Sequence, residues 1–214
     1  MSKTALLAGA TGLVGQELLG LLLASDRYSK VVAITRKPLS VQHPKLHNVV
    51  ADFSSVTAQD PQWKADDVFC CLGTTIRKVK TKEAFRQVDF EYPLQLARVS
   101  HELGASQFLL ISALGANAQS SIFYNRVKGE VENAISYVGF ASTHFFRPSL
   151  LLGNRSEARS GEDAAKVFYK LFGFLIPKKY KGIEAIKVAR AMLANAERED
   201  KGIFFHESIE LQNY

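Results

Sequence analysis

A glycine-rich segment at residues 9–15, G-A-T-G-L-V-G, constrains this chain more than any other feature. It follows an apolar run at residues 4–8 and precedes a segment whose apolar residues recur with helical spacing to about residue 24. The pattern predicts a strand, a tight turn and a helix. Such a turn lets the backbone approach a pyrophosphate, and the helix start offers free N–H groups and the positive end of a dipole. Dinucleotide motifs usually read G-x-G-x-x-G, whereas these glycines are spaced G-x-x-G-x-x-G. The segment alone therefore leaves open an ordinary turn and a phosphate-binding loop.

The remaining sequence alternates predicted strands with predicted helices. Apolar runs predict strands at residues 30–35, 48–53, 66–72, 107–112 and 142–146, and a weaker closing strand at 202–209. Helical patterns occupy residues 81–103, 124–137 and 183–199, with a further stretch within 157–174. Pro93 predicts a break or kink in the first of these helices, and Gly104 predicts its end.

This alternation predicts an α/β fold, a Rossmann-type doubly wound parallel sheet with helices on both faces. We expect one domain over residues 1–214, because a chain of this length buries a single substantial core. We expect the substrate region to come mainly from residues 149–186 and 200–214.

Composition and charge narrow the function classes. Hydrophobic residues make up 47% of the chain and charged residues 22%, which is ordinary for a globular protein. A net charge of +6 favours an anionic small ligand. No basic stretch is interleaved with aromatic residues, so we expect no dedicated nucleic-acid site. No apolar run reaches the ~18 residues that a membrane span needs, and we expect none.

The cysteines and the N-terminal sequence indicate a compartment. Cys70 and Cys71 are adjacent within an apolar run, which is typical of inert core thiols rather than of a C-x-x-C pair. Two cysteines without a disulfide framework favour a reducing compartment. The first predicted strand begins almost at Met1, so we expect no secretory leader and a cytoplasmic protein. Since no predicted helix has a decisive apolar outer face, we expect a monomer or a weak dimer.

Polar residues after the second and third predicted strands favour a phosphorylated dinucleotide. Arg36 and Lys37 lie about 20 residues past the glycines, where an NAD site has an acid and an NADP site has an arginine for the 2′-phosphate. A planar guanidinium binds phosphate through two donors, so we expect NADP(H) rather than NAD(H). An exposed basic turn is the alternative. Asp52 would accept from the adenine amino group, with Phe53 beside the ring, or would instead form a turn.

A serine, a tyrosine and a lysine form a second constellation. Tyr124 and Lys128 are four residues apart in a predicted helix and therefore share a face. An ammonium beside a phenol favours the phenolate and pulls a pKa of about 10 toward the working range. Tyr124 would then serve as acid or base for a carbonyl/alcohol pair. Ser112, at a strand end, would hydrogen-bond the same oxygen, and Lys128 would also hold the nicotinamide ribose.

Five segments of the chain match the motifs of a known family in the same order. They are G-A-T-G-L-V-G at 9–15, C-L-G-T-T at 71–75, V-D-F-E-Y at 88–92, Y-N-R-V-K-G-E-V-E at 124–132 and F-R-P-S-L-L-L-G at 146–153. With these segments the chain resembles the atypical or extended short-chain dehydrogenase/reductases. It is most similar to the family of the Tat-interacting protein (oxidoreductase CC-three) and its small bacterial relatives.

The resemblance implies a Rossmann fold that binds NADP(H), with the acid–base roles on Ser112, Tyr124 and Lys128. It also implies that residues 72–74 lie along the cofactor and residues 147–150 near the nicotinamide. The expected cofactor contacts are therefore Gly9, Thr11, Gly12, Leu13, Val14, Gly15, Arg36, Lys37, Asp52, Phe53, Leu72, Gly73, Thr74, Tyr124, Lys128, Arg147, Pro148 and Leu150.

Two positions depart from the pattern of typical members. Residues 72–75 read L-G-T-T where those members have N-N-A-G. Asp89 is the nearest candidate for the asparagine that supports the lysine through water. Atypical relatives include proteins that bind the cofactor without an established reaction.

The sequence thus predicts an NADP(H)-dependent oxidoreductase that transfers hydride to or from a small carbonyl/alcohol substrate. The alternatives are a non-catalytic redox sensor or regulatory protein that acts through a protein partner, and a cofactor-binding fold with a vestigial triad. The histidines show no zinc-ligand spacing, so we expect no metal. We expect a solvated helix start at Arg77, Lys78, Lys80 and Lys82, a basic loop at Lys178, Lys179 and Lys181, and core packing of Phe168, Tyr169, Phe172 and Phe174.

Overall fold

The computed structural model describes residues 2–153 and 181–214 of the chain. Within these residues the strands are β1 (Lys3–Ala8), β2 (Tyr28–Thr35), β3 (Leu46–Val50), β4 (Asp67–Cys70), β5 (Gln107–Ile111), β6 (Ser142–Arg147), β7 (Leu151–Leu152), β8 (Ile183–Glu184) and β9 (Gly202–Glu207). The α-helices are α1 (Leu13–Ala24), α2 (Ile76–Val79), α3 (Lys82–Arg86), α4 (Tyr92–Glu102), α5 (Phe123–Ser136), α6 (Ala185–Arg198) and α7 (Ser208–Leu211).

Seven of these strands form one sheet in the order β3-β2-β1-β4-β5-β6-β9, while β7 pairs with β8. Every pairing in the large sheet is parallel. The chain builds one half of the sheet outward from β1 and the other half outward from β4, so the switch point lies between these two strands. Ligands of such sheets bind at the carboxyl ends of the strands near this point. The predicted α/β fold with a doubly wound parallel sheet is confirmed.

Helices cover both faces of the sheet because its strands are apolar on both. Successive residues of a strand point to opposite faces, and Leu7 of β1 belongs to the core beneath α1 and α6, with Leu18 and Met192. Leu6 belongs to the core beneath α4 and α5, with Val131. All five side chains are essentially inaccessible to solvent. No described helix is long and apolar enough to cross a membrane.

The helix predicted over residues 81–103 is divided in the structure. A π-helical turn, Gln87–Glu91, separates α3 from α4. Pro93 lies in the first turn of α4, directly after the π-helical turn. The widened turn accommodates the proline ring, which would otherwise clash with the carbonyl four residues earlier. The break predicted from Pro93 is therefore confirmed, and Gly104, with φ +92°, follows the helix.

Two predicted element boundaries differ from the structure. The third strand ends at Val50 rather than near residue 53, because Asp52 accepts from the backbone N–H of Ser54 and starts a 3-10 turn, Phe53–Ser55. The closing strand, weak in the sequence, is a full partner of β6 and ends at Glu207 where α7 begins. The helical stretch predicted within 157–174, its four aromatic residues, and Lys178 and Lys179 lie outside the described residues.

Candidate functional site

The first and third glycines of the 9–15 segment are required by close packing. Gly9 has φ +85°, and a Cβ there would lie 2.5 Å from the carbonyl oxygen of Cys71. A Cβ on Gly15 would lie 2.0 Å from the carbonyl oxygen of Gly9. Any side chain at either position would force the turn away from β4 or from α1. Two of the three glycines are thus explained by the fold itself.

The middle glycine has a different environment. A Cβ on Gly12 would be 3.4 Å from its nearest neighbour, the Gly9 carbonyl oxygen, which is ordinary van der Waals contact. Gly12 has extended backbone just before α1, and no side chain caps that end of the helix. The first N–H groups of α1 therefore face a space that no side chain of Gly12 fills, beside the switch point of the sheet. An anion fits this space, since the N–H groups and the helix dipole both favour one.

The predicted 2′-phosphate and adenine residues lie on the same edge of the sheet. Arg36 and Lys37 follow β2 and are exposed. Asp52 lies close enough for Arg36 to lower the pKa of its carboxyl, although hydrogen bonds from the backbone and side chain of Ser54 lower that pKa more. Asp52 Oδ1 accepts from Ser54 N and Ser54 Oγ, both at 2.9 Å, so the turn-forming role is present. The adenine contact of Asp52 stays a prediction.

Phe53 is placed differently from its neighbours. Its side chain is buried and stacks on Tyr92, with ring centroids 5.3 Å apart and planes at 24°. The ring therefore packs in the core beneath α4. A contact between Phe53 and an adenine stays a prediction and would involve the residue's backbone or ring edge.

The loop after β4 joins the glycine turn to the predicted catalytic helix. Cys71 N donates to the Ala8 carbonyl at 2.8 Å, so the loop leaves the sheet beside Gly9. Farther along, Thr74 N donates to Asp89 Oδ2 at 2.8 Å. A Cβ on Gly73 would be 3.5 Å from Asp89 Oδ1 and 3.9 Å from Lys128 Nζ. Residues 72–74 thus pass between the glycine turn and the lysine of the predicted triad, and their contact with a dinucleotide stays a prediction.

Ser112 contributes a buried hydroxyl at the carboxyl end of β5. Its N–H donates to the Phe146 carbonyl at 2.7 Å, which ties it to β6. Ser112 is two residues after Leu110, so the two side chains point to the same face of the sheet. Leu110 packs on the face that α5 covers. Ser112 Oγ is inaccessible and has no hydrogen-bond partner among the described residues. An unsatisfied buried hydroxyl costs free energy, and a ligand oxygen would offset that cost.

Tyr124 and Lys128 lie one turn apart in α5, as predicted. The Tyr124 ring packs on buried Phe85 of α3, with centroids 5.6 Å apart. Burial alone would lower the pKa of Lys128. The negative charge of Asp89 and, to a smaller extent, Tyr124 outweigh burial, so the pKa of Lys128 is raised. Lys128 is therefore an ammonium that interacts electrostatically with Tyr124, which is the arrangement the predicted chemistry needs.

The structure places Asp89, the candidate for the asparagine of typical members, directly beside Lys128. Its Oδ1 lies 2.8 Å from Lys128 Nζ, and the two side chains are 1% and 4% exposed. The sequence signals for Asp89 are the segment V-D-F-E-Y and its position four residues before Pro93, but in the structure it lies in the π-helical turn. The pattern alone does not show that turn.

Gly129 is a residue that the sequence reasoning missed. It follows Lys128 in α5, and a Cβ there would lie 2.2 Å from Ala118 N and 2.3 Å from Asn117 C. The loop after Ser112 therefore packs directly on the backbone of α5 beside Lys128. A glycine in the interior of a predicted helix, next to a candidate catalytic lysine, was the signal that marks such a close approach.

Arg147, predicted near the nicotinamide, has its guanidinium held by protein carboxylates. Its Nη2 lies 2.6 Å from Glu132 Oε2, and its Nη1 lies 2.9 Å from Glu207 Oε1. The hydrogen bond that Arg147 donates to Glu132 is the largest influence on its guanidinium and, with the one it donates to Glu207, raises the pKa of Arg147. Pro148 O accepts from Leu114 N at 2.9 Å, and the Leu150 side chain is half exposed. A contact between residues 147–150 and a cofactor stays a prediction and would involve their backbone or Leu150.

Comparison with known proteins identifies the family. Residues 9–138 match the model of a family described as NAD(P)H-binding. The chain belongs to that NAD(P)H-binding family. Its relatives include protein HTATIP2 of Rattus norvegicus, 38% identical over 200 residues that cover 91% of this chain and 81% of that protein. They also include protein FMP52, mitochondrial, of Lodderomyces elongisporus, 34% identical over 95% of this chain and 91% of that protein. The predicted resemblance to the Tat-interacting protein family of atypical reductases is confirmed.

Solved structures support the fold of this family member. A structure described as MoeE5 in complex with UDP-glucose and NAD superposes with a TM-score of 0.72 over 94% of this chain and 74% of that one. The two sequences are 16% identical, so the likeness concerns the fold. A Rossmann fold in a member of the NAD(P)H-binding family is thus established for this protein.

The names of the relatives contradict the predicted cytoplasmic location, which is therefore wrong. The relatives from Lodderomyces elongisporus, Candida glabrata and Emericella nidulans are all named as mitochondrial proteins. The prediction rested partly on two unpaired cysteines, which indicate a reducing compartment. That signal does not distinguish one reducing compartment from another.

Proposed function

We propose that this protein is an NADP(H)-dependent oxidoreductase that interconverts a small carbonyl compound and its alcohol. The observation that carries the proposal is the buried hydroxyl of Ser112, which has no hydrogen-bond partner among the described residues. It lies at the carboxyl edge of the sheet, on the face covered by the helix of Tyr124 and Lys128. A substrate oxygen bound there would accept from Ser112 Oγ and satisfy it.

Each residue of the triad has a distinct role in this proposal. The bound nicotinamide supplies or accepts a hydride at the carbon of the carbonyl/alcohol pair. In the reductive direction Tyr124 donates its phenolic proton to the carbonyl oxygen, and in the oxidative direction the phenolate removes it. The Lys128 ammonium stabilises the phenolate left after proton donation. Ser112 orients the oxygen so that hydride and proton arrive at adjacent atoms.

The edge of the sheet fits the anionic parts of the cofactor. The uncapped start of α1 beside Gly12 suits a pyrophosphate. The exposed side chains of Arg36 and Lys37 suit a 2′-phosphate, which is why we propose NADP(H) over NAD(H). The neighbouring carboxylate of Asp52 suits the adenine amino group or a ribose hydroxyl.

Cofactor binding and turnover test the proposal separately. NADPH and NADH are titrated by fluorescence, and we expect NADPH to bind at least about tenfold more tightly, a difference of about 1.4 kcal/mol. If neither cofactor binds, the cofactor assignment is refuted. If NADH binds equally well, the role of Arg36 and Lys37 is refuted.

Turnover is then measured on a panel of aldehydes and ketones with the variant Tyr124→Phe. We expect kcat/KM to fall by about 10²–10⁴, since that is the usual contribution of a positioned acid or base. Tyr137→Phe is the matched control, because Tyr137 follows the same helix and is 90% exposed. Equal activity of wild type and Tyr124→Phe would remove Tyr124 from the mechanism. Tight NADPH binding without turnover on any carbonyl would favour the regulatory alternative.

A further inference from the structure

Two opposite charges are buried together beneath the predicted site. Lys128 Nζ lies 2.8 Å from Asp89 Oδ1, with side chains 4% and 1% exposed. The second oxygen, Asp89 Oδ2, accepts from Thr74 N at 2.8 Å. A single carboxylate therefore contacts both the helix that bears Tyr124 and the loop that follows β4.

The energetics of burial make this pair interdependent. An isolated charge in a protein interior is strongly unfavourable, and removing one partner of a buried pair leaves the other uncompensated. Burial alone would lower the pKa of Lys128. The pKa is raised instead, mainly by the negative charge of Asp89 and to a smaller extent by Tyr124. The ammonium at this position thus depends on the carboxylate.

We propose that Asp89 is a positioning residue, whose carboxylate keeps Lys128 charged, fixes its ammonium beneath Tyr124 and ties it to the backbone of Thr74. The inference rests on the proposed function, in which the charge of Lys128 stabilises the Tyr124 phenolate. Asp89 transfers no proton and contacts no substrate. It acts through Lys128 and through Thr74, whose backbone N–H donates to Asp89 Oδ2 at 2.8 Å.

The local geometry explains why an aspartate is required. Asp89 lies in the π-helical turn Gln87–Glu91 and is fully buried, and the loop at Gly73 lies directly against Asp89 and Lys128. An asparagine has the same shape, but its amide offers one acceptor oxygen and one donor group. The amide oxygen can accept from either Thr74 N or Lys128 Nζ. The remaining one of these two donors then faces the amide NH2 group, which is also a donor.

Unfolding as a function of pH tests the inference without any cofactor. In the wild type the raised pKa of Lys128 lies above that of an unfolded lysine, about 10.4. Lys128 therefore contributes no pH dependence between pH 7 and 10. In Asp89→Asn the folded protein would lose the lysine proton before the unfolded chain does. Its unfolding constant, from urea titrations, would fall by about tenfold per pH unit between the lowered pKa and 10.4.

Two further variants make the result decisive. Glu91→Gln is the matched control, because Glu91 is in the same turn, is exposed and pairs with Arg86 at 3.7 Å. Its unfolding constant should depend on pH as that of the wild type does.

The double variant Asp89→Asn/Lys128→Met should lose the pH dependence that the single variant Asp89→Asn gains. If Asp89→Asn alone fails to fold, recovery of folding in the double variant supports the pair, and failure of both overturns it. Parallel pH curves for Asp89→Asn and Glu91→Gln also overturn it.

Kinetics separate this inference from the proposed function. With a carbonyl that the wild type reduces, Asp89→Asn should lower kcat more than it raises KM and should add an ionisation below pH 10 to the alkaline limb of the profile. Rescue by Asp89→Glu is not expected, because the longer side chain cannot contact both Thr74 N and Lys128 in the same space. If Tyr124→Phe is fully active while the unfolding data behave as above, the proposed function fails and the pairing of Asp89 with Lys128 stands.

Discussion

At the residue scale, the three glycines of the 9–15 segment differ in what excludes a side chain. Gly9 and Gly15 are surrounded by backbone atoms that a Cβ would strike, and Gly9 also has a positive φ. The surrounding protein atoms leave room for a methyl group at Gly12. The absence of a side chain at Gly12 is therefore better explained by a ligand than by packing. This difference separates the two interpretations that the spacing alone left open.

Gly12→Ala should bind NADPH at least about tenfold more weakly while losing less than about 1 kcal/mol of stability, the usual difference between these residues before a helix. Gly15→Ala should instead lose about 2 kcal/mol or more, because its Cβ would lie 2.0 Å from the Gly9 carbonyl oxygen. Fluorescence titration gives the affinity and urea unfolding the stability. An unchanged NADPH affinity in Gly12→Ala would show that the turn does not hold the pyrophosphate.

At the element scale, the edge of the sheet formed by β6 and β9 contains a buried chain of hydrogen bonds. Ser142 Oγ lies 2.9 Å from His144 Nε2, and His144 Nδ1 lies 2.9 Å from His206 Nε2. The His144 ring also stacks on Phe204, with centroids 4.8 Å apart. Burial, with a smaller effect of His206, lowers the pKa of His144 to about 4. Burial also lowers the pKa of His206.

The lowered pKa of His144 predicts a loss of stability in mild acid. Below about pH 6.5 an unfolded histidine binds a proton, while folded His144 stays neutral until about pH 4. The unfolded state therefore gains protons first, and stability falls as the pH drops from 6.5 to 4.5. His144→Gln should flatten this fall, and His43→Gln, at an exposed histidine, should leave it unchanged. Urea midpoints at the two pH values measure the effect. An equally steep fall in His144→Gln would contradict it.

Local patterns predicted most elements because the apolar runs of the central strands are long enough to form strands that are largely buried on both faces. They did not predict the π-helical turn or the contacts that Asp89 makes from it with Thr74 and Lys128, which are distant in sequence. The same applies to Arg147. Its partners Glu132 and Glu207 are 15 and 60 residues away, and only the folded sheet brings them together. Side-chain roles set by such pairings are the part of the site that a sequence pattern does not contain.

At the scale of the whole molecule, the two ends of the sheet carry different kinds of polar cluster. The carboxyl end carries the glycine turn, Ser112 and the Asp89–Lys128 pair. The amino end carries Asp67, which is fully buried at the start of β4. Asp67 accepts from Tyr28 Oη at 2.8 Å, Arg27 Nη2 at 3.2 Å and Gln107 Nε2 at 3.0 Å. Burial and then Asp67 raise the pKa of Tyr28, so the phenol remains a hydrogen-bond donor.

This separation predicts that stability and cofactor binding change independently. Asp67→Asn removes one charge of a buried pair, and such changes cost about 3–5 kcal/mol. Arg27 retains a partner in Glu199 Oε1 at 2.8 Å, which places the expected loss at the lower end of that range. Because Asp67 lies at the opposite end of β4 from Leu72 and Gly73, NADPH affinity of the folded variant should stay within about threefold of wild type.

Urea unfolding at pH 7 measures the first quantity, and fluorescence titration at a urea concentration where the variant is fully folded measures the second. The control Asp66→Asn changes the neighbouring carboxylate, which is exposed and accepts from Thr4 N at 2.7 Å. The loss of stability in Asp66→Asn should be smaller, since an exposed side chain is solvated both as aspartate and as asparagine. A large loss of NADPH affinity in folded Asp67→Asn would mean that β4 transmits changes along its length. The two ends of the sheet would then act as one unit.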